Sequence, residues 1–298
     1  ISALAAFNGF LVIFGRKSIL VFSNPTNPSS MTLVEHIKGI GCVARDSVQD
    51  IGTDLLFLSD TGVRSLQRTI QEKSMPMRDI SSNIRNEMLY YIEAETDISK
   101  VTSTYNEKER FYLCNFPQNG VTFCFDISRV LPNGASPVTT WDTINPKSMI
   151  TRINGDLLFG QTGIIGKYFG YQDDTSSFDM SYLTAWISFG EPFIQKILKK
   201  INFTMQGSSS SVFTVRHSYD YSGTEFTEQQ SVSGGTTHEY NVAEYNVAEY
   251  SSGRIIDEVS SIGKSAGKMI QVGIFSTVNG AELAIQKFDI YAKRGRMK

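Results

Sequence analysis

Short apolar runs separated by glycine-containing or polar turns organise the first half of the chain. Three segments share one form: Phe7–Ser23 (FNGFLVIFGRKSILVFS), Ile51–Leu66 (IGTDLLFLSDTGVRSL) and Ile153–Tyr168 (INGDLLFGQTGIIGKY). Each reads as a turn, an apolar strand, a second turn and a second apolar strand. An Asp-Leu-Leu-Phe core recurs at Asp54–Phe57 and Asp156–Phe159, followed at similar distance by Gly62 and Gly163. A divergent fourth copy lies between them: Glu109–Cys114, a turn at Pro117–Gly120, then Val121–Phe125. Its Asn119-Gly120 pair suits a hairpin, because both residues tolerate positive φ. The copies are spaced by roughly 40–55 residues, the period of β-propeller blades. Hairpins of an unrelated all-β meander would look alike, so both readings stand, and closing a ring would need strands beyond these four copies.

Between the second and third copies, Ile80, Ile84 and Met88 recur at helical spacing behind Asp79, which can cap. This predicts a short helix or strand-edge insertion over Ile80–Tyr91. In the second half, Trp186–Phe189, Lys200–Thr204, Val212–Arg216, Met269–Ser276 and Leu283–Tyr291 have strand character, the last two joined by Asn279-Gly280. Ser208–Ser211 and Ser231–Thr237 are rich in small polar residues, and NVAEY is repeated in tandem at Asn241–Tyr245 and Asn246–Tyr250. Such a duplication is tolerated best at a loop tip. The expectation is a mainly β protein: a partial β-propeller over residues 1–175, then a β-rich, sandwich-like domain over residues 176–298, with a projecting loop around 206–252.

Composition narrows the class. The 298 residues include 19 Phe and 13 Tyr but 3 Cys, and the formal net charge is −2. Abundant aromatics exclude disorder, three cysteines exclude a disulfide-dense scaffold, and near-neutrality leaves no global basic surface for nucleic acid. No stretch reaches the ~20 apolar residues of a transmembrane helix. The chain opens on Ile1, already within a strand pattern. A longer parent polypeptide is therefore expected. Charge is uneven: residues 204–252 hold one base and six acids, whereas 253–298 hold eight bases and four acids.

Candidate chemistry is sparse. His36, His217 and His238 lie in no zinc motif and read as surface or loop histidines. Gly263-Lys264-Ser265 resembles the end of a P-loop, but Glu258 replaces the required earlier glycine. Cys114 and Cys124 fall near-opposite across a turn and read as a reduced, half-buried pair. Asp54 and Asp156, at equivalent places in two copies, read as turn-stabilising rather than as glycosidase carboxylates. No cofactor or metal is expected.

Several runs, taken in order, carry a resemblance. Gly39-Ile40-Gly41-Cys42-Val43-Ala44, Ser47-Val48, Asp54–Ser59 and Gly62–Leu66, with Phe7–Phe22 and Asn24-Pro25 upstream, resemble the tail nozzle proteins of short-tailed, podovirus-type bacteriophages, also called tail tubular protein B or stabilisation proteins. Leu283–Lys287, Asp289–Lys293 and Gly295-Arg296 look like that family's closing segment. The resemblance spans both ends of the chain, and the NVAEY duplication is not part of it. It implies a structural virion protein without catalytic activity: a homohexameric ring at the distal end of the tail, assembled in the host cytoplasm, below an adaptor ring and beside fibre or tip proteins. It also implies a peripheral propeller, platform and nozzle parts around a channel, transient passage of double-stranded DNA, and no stable membrane insertion. DNA slides past an acidic or neutral wall more readily than past a basic one, so Glu225, Glu228, Glu239, Glu244 and Glu249 become expected channel- or tip-facing acids. The competing expectation is a propeller module that binds a host-surface receptor.

Overall fold

In the computed structural model, which describes residues 1–72, 79–207, 211–232, 255–263 and 265–295, each of the four hairpins forms an antiparallel strand pair within its own sheet. The chain divides into two units, Ile1–Phe169 and Gly170–Lys298. The division falls a few residues ahead of the polar DDTSS run. That run belongs to the second unit and closes through an isolated bridge between Asp173 and Ser176.

The first unit is four meanders in succession. The first comprises β1 (Ala3–Phe7), β2 (Phe10–Gly15), β3 (Ser18–Ser23) and β4 (Thr32–Lys38). The second comprises β5 (Gln49–Asp50), β6 (Leu55–Ser59) and β7 (Gly62–Ser65), followed by helices α1 (Leu66–Glu72) and α2 (Arg85–Ala94). The third comprises β8 (Thr102–Asn106), β9 (Phe111–Phe116), β10 (Val121–Asp126) and β11 (Val138–Trp141). The fourth comprises β12 (Ser148–Thr151), β13 (Leu157–Gln161) and β14 (Ile164–Lys167). In every sheet, spatial order follows chain order.

Strand alternation explains how these sheets share cores. In β6, Leu55 and Phe57 join the cluster of Val12, Phe14 and Ile19 from the first sheet. Leu56 and Leu58 point the other way, onto Tyr112, Cys114, Phe116 and Phe123 of the third. The third sheet turns Phe111, Leu113 and Cys124 from its opposite face onto Leu157 of the fourth. A strand buried on both faces has no polar side to alternate with, which is why Leu55–Leu58 is a continuous apolar run. The same parity corrects the cysteine expectation. Cys114 pairs in register with Phe123, and Cys124 with Leu113, so the two thiols point to opposite faces and into different cores.

The helical expectation holds for the segment but not for its cap. Helix α2 begins at Arg85, behind a 3-10 turn at Ser82–Ile84, and its N-cap, Ile84, provides no side-chain cap. Asp79 is a buried ion-pair partner instead. The periodicity had not marked α1.

The second unit contains β15 (Phe178–Leu183), β16 (Lys196–Gly207), β17 (Ser211–Tyr219), β18 (Glu225–Val232), β19 (Ile255–Ile262), β20 (Ala266–Gly267), β21 (Ile270–Val278) and β22 (Leu283–Arg294). One sheet runs β15-β21-β17-β18; in the other, β16 is flanked by β19, β20 and β22. Both sheets feed one core: Leu198, Ile201, Phe203 and Met205 from β16 meet Phe213 and Val215 from β17 and Val272 and Ile274 from β21. A register shift between Leu198 and Lys200 lets Leu198 and Ile201, an odd number apart, face the same side. Gly280, at φ 72°, turns the chain from β21 into β22.

Two expectations change here. The stretch 206–252 is not one projecting loop, because residues up to Gly207, Ser211–Tyr219 and Glu225–Val232 are ladder strands. Trp186–Phe189 is not a strand. Its one ladder contact is an isolated bridge from Ile187 to Ile270.

Candidate functional site

The first strand of each meander borders the same cavity. Leu4–Ala6 of β1, Gln49 and Asp50 of β5, Thr102 and Ser103 of β8, and Ser148 and Met149 of β12 line a space of about 550 Å³, together with Arg45, Asp46 and Lys147. Repetition of the meander places these residues alike: the turn or strand that opens each copy faces the cavity, joined by Leu55 from β6.

Hydrogen bonds hold this lining. The Arg45 guanidinium grips Asp46 with two bonds of 2.8 and 3.1 Å, and the hydrogen bond and charge of Asp46 raise the pKa of Arg45 above its ordinary value. Ser103 Oγ donates to the Asp46 carbonyl at 2.8 Å, and Gln49 Nε2 donates to the Ser103 carbonyl at 3.1 Å, lacing the second meander to the third. Asp50 Oδ1 accepts from Gly52 N at 2.7 Å. Two cations and two carboxylates leave the cavity balanced in charge, and its lining contains neither histidine nor cysteine. The arrangement offers hydrogen-bonding groups to a polar occupant and no nucleophile–base pair.

The other candidate residues are dispersed. Asp54 is buried, and its carboxylate accepts from Ser65 Oγ, Leu55 N at 2.7 Å and Gln67 N at 3.0 Å, which spends it on the backbone. Asp156 faces Lys167 Nζ at 2.9 Å, and that bond, ahead of one from Asn154, lowers its pKa below the usual carboxylate value. His36 lies exposed on β4. His217, expected at the surface, is 2 % exposed and stacks on Phe226 at 5.3 Å. Glu225 is exposed and 3.7 Å from Arg216. Glu228 does not face open solvent: it lies on the inward side of β18 with Phe226 and Val232 and accepts from buried Ser261 Oγ at 2.5 Å. Glu225 and Glu228 stand three positions apart on one strand, so the pleat sends them to opposite faces. Glu239, Glu244, Glu249, His238 and the NVAEY repeat lie outside the described residues. Among the described residues, no three His, Cys, Asp or Glu side chains gather as a metal site, and no helix is long and apolar enough to cross a membrane.

Sequence reasoning missed Arg45, Asp46, Asp50 and Lys147. The available signal was position: each stands at the opening of a repeated meander, ahead of its apolar hairpin.

No family model and no curated protein matches the chain. Among solved structures it is similar to the AfRom2 CNH domain, at 14 % identity over 52 % of this chain and 45 % of that one, with a TM-score of 0.29. It is also similar to a glycoside hydrolase family 43 arabinoxylan arabinofuranohydrolase from Bacillus subtilis, at 8 % identity over 98 % of this chain and 54 % of that one, with a TM-score of 0.27. A third likeness is to a Bacillus thuringiensis Cry1Da tryptic core variant, at 11 % identity over 98 % and 50 %, with a TM-score of 0.22. The chain spans about half the length of each of these structures. At such TM-scores the likenesses carry no functional argument.

Proposed function

We propose that this chain is a structural subunit of the distal nozzle of a short phage tail. In this reading the first unit is an arc of a β-propeller, the second a platform and nozzle domain, and six copies surround a channel through which the genome leaves. The subunits meet an adaptor ring above and fibre or tip proteins beside them in the virion. One observation carries the propeller part: four successive meanders present their first strands to a common cavity, as blades do around an axis. The resemblance of Gly39–Ala44, Asp54–Leu66 and Leu283–Arg296 to tail nozzle proteins supports the rest. No catalytic role is assigned. Asp54 is spent on backbone amides and Asp46 on Arg45, so neither is a free acid or base.

The test is imaging of the full chain mixed with its adaptor ring. Sixfold rings with a central hole are expected, and the absence of rings on the adaptor would count against the nozzle. Replacing Glu239, Glu244 and Glu249 with Lys should slow genome ejection, because a basic wall holds DNA. A second reading, a host-receptor-binding module, draws on the polar lining of the cavity. Binding of the isolated chain to host surface material, lost on Lys147→Glu, would favour it.

A further inference from the structure

Asparagine followed by glycine occurs five times: Asn8-Gly9, Asn119-Gly120, Asn133-Gly134, Asn154-Gly155 and Asn279-Gly280. In every pair the glycine sits at positive φ, between 66° and 85°, so all five turn the chain tightly. Such a pair is also where a chain most readily modifies itself, because glycine has no side chain to shield its amide nitrogen. That nitrogen attacks the preceding side-chain carbon only where both groups are free to meet. Four pairs are held. Gly134 N donates to Leu131 O at 2.8 Å, Gly155 N to Arg152 O at 2.8 Å and Gly280 N to Tyr171 O at 2.9 Å. Their asparagines are held too: Asn133 Oδ1 accepts from Ala135 N at 3.1 Å, Asn154 Oδ1 from Asp156 N at 3.1 Å, and Asn279 Oδ1 from Gln172 Nε2 at 2.7 Å. Asn119 Nδ2 donates at 2.7 Å to Glu95 Oε2, part of a buried residue.

The pair at the tip of β1 and β2 is the exception. Phe7 pairs with Phe10, so Asn8 and Gly9 form a two-residue loop, with φ of 49° and 78° as in a type I′ turn. Among the described residues, neither the Asn8 side chain nor the Gly9 amide makes a hydrogen bond. Asn8 is also the one asparagine of the five at positive φ, where Cβ crowds the following carbonyl oxygen. Rotation about its Cα–C bond moves that oxygen away and swings the Gly9 nitrogen toward the side chain. We propose that the chain modifies itself at Asn8, with water as the only co-reactant. The Gly9 nitrogen gives up its proton to hydroxide and bonds to Asn8 Cγ; the Cγ–Nδ2 bond breaks, and ammonia leaves with a proton from water. Water then opens the resulting five-membered imide at either carbonyl, giving aspartate or isoaspartate. Either product puts a carboxylate where a neutral amide stood, one unit beyond the formal net charge of −2. Isoaspartate also adds one carbon to the main chain of the turn. This modification draws on neither the nozzle nor the receptor reading.

The experiment follows all five pairs at once. The full chain is incubated in mildly alkaline buffer, folded and in parallel in urea, and the peptide holding each pair is followed by mass spectrometry. Each conversion of amide to acid raises the peptide mass by one unit. Releasing an ordinary hydrogen bond lowers the reactive population by up to about tenfold, so in the folded chain Asn8 should convert about tenfold ahead of the other four. In urea the tethers are gone, and Asn8, behind the bulky Phe7, should lose that lead. Asn8→Gln, whose longer side chain closes the corresponding ring far more slowly, should abolish the acidic shift that the folded chain develops on isoelectric focusing. A folded chain that keeps its Asn8 amide while the chain in urea loses it overturns the proposal. So does any of the other four converting as fast as Asn8 in the folded chain, or an acidic shift that persists in Asn8→Gln.

Discussion

Arg64 Nη1 lies 3.2 Å from Asp79 Oδ1, with the two side chains 5 % and 4 % exposed. Asp79 also accepts from Arg85 Nη2 at 3.0 Å, and Arg64 Nη2 donates to Thr61 Oγ1 at 2.9 Å. The carboxylate thus pins the segment entering α2 onto β7. Removing one member of a buried pair strands the other charge in a low-dielectric site, at a cost of about 3–5 kcal/mol. Asp79→Ala should lower stability to urea by that much. Arg85→Ala should cost under about 1 kcal/mol, because Arg85 is partly exposed and its partner keeps Arg64. Equal losses in the two variants would refute this division of roles.

Asp54 should behave as a backbone cap and not as a catalyst. Asp54→Ala strands the Leu55 and Gln67 amides and the Ser65 hydroxyl. Each buried donor left without an acceptor costs roughly 1–3 kcal/mol. Asp54→Asn keeps one oxygen, so it should lose clearly less in the same denaturation experiment. An asparagine variant as unstable as the alanine variant would mean that the charge, and not the acceptor geometry, is what matters.

The buried thiols give stability a dependence on alkaline pH. Burial pushes Cys114 and Cys124 up to about 12 from an ordinary 9.0. Between those values the unfolded chain has lost protons that the folded chain keeps. The stabilisation is therefore complete below pH 9.0 and is lost as pH rises toward 12, at ~1.4 kcal/mol per pH unit for each thiol. Denaturation midpoints on either side of pH 9.0 should show this slope, and Cys114→Ala should remove one thiol's share of it. An unchanged slope in that variant would show that other groups cause the alkaline loss. None of the three cysteines should react with iodoacetamide before unfolding, since all are buried.

Much of the first unit was legible because its determinants are local. Asp-Leu-Leu-Phe before a turn glycine makes a central strand of either sheet, and the copies at Leu55–Ser59 and Leu157–Gln161 both formed one. Their aspartates then diverged. Asp54 was drawn under backbone amides, whereas Asp156 stayed near the surface beside Lys167, a difference made by neighbours outside the motif. The acidic stretch misled for the same reason. A charge count cannot tell that Glu228 turns inward to Ser261 while Glu225 meets Arg216.

By itself the sequence determined the four hairpins of the first unit and the turns that join their strands, since strand alternation and turn glycines act within a few residues. It also determined that no global basic surface exists. Tertiary structure alone decided which sheet covers which face, and it drew Asp79 to Arg64 and the Tyr112 hydroxyl onto the Ser47 carbonyl. It also decided that four separate openings would border one cavity. Those outcomes depend on contacts between segments far apart in the chain, where burial and pairing energies outweigh local preference.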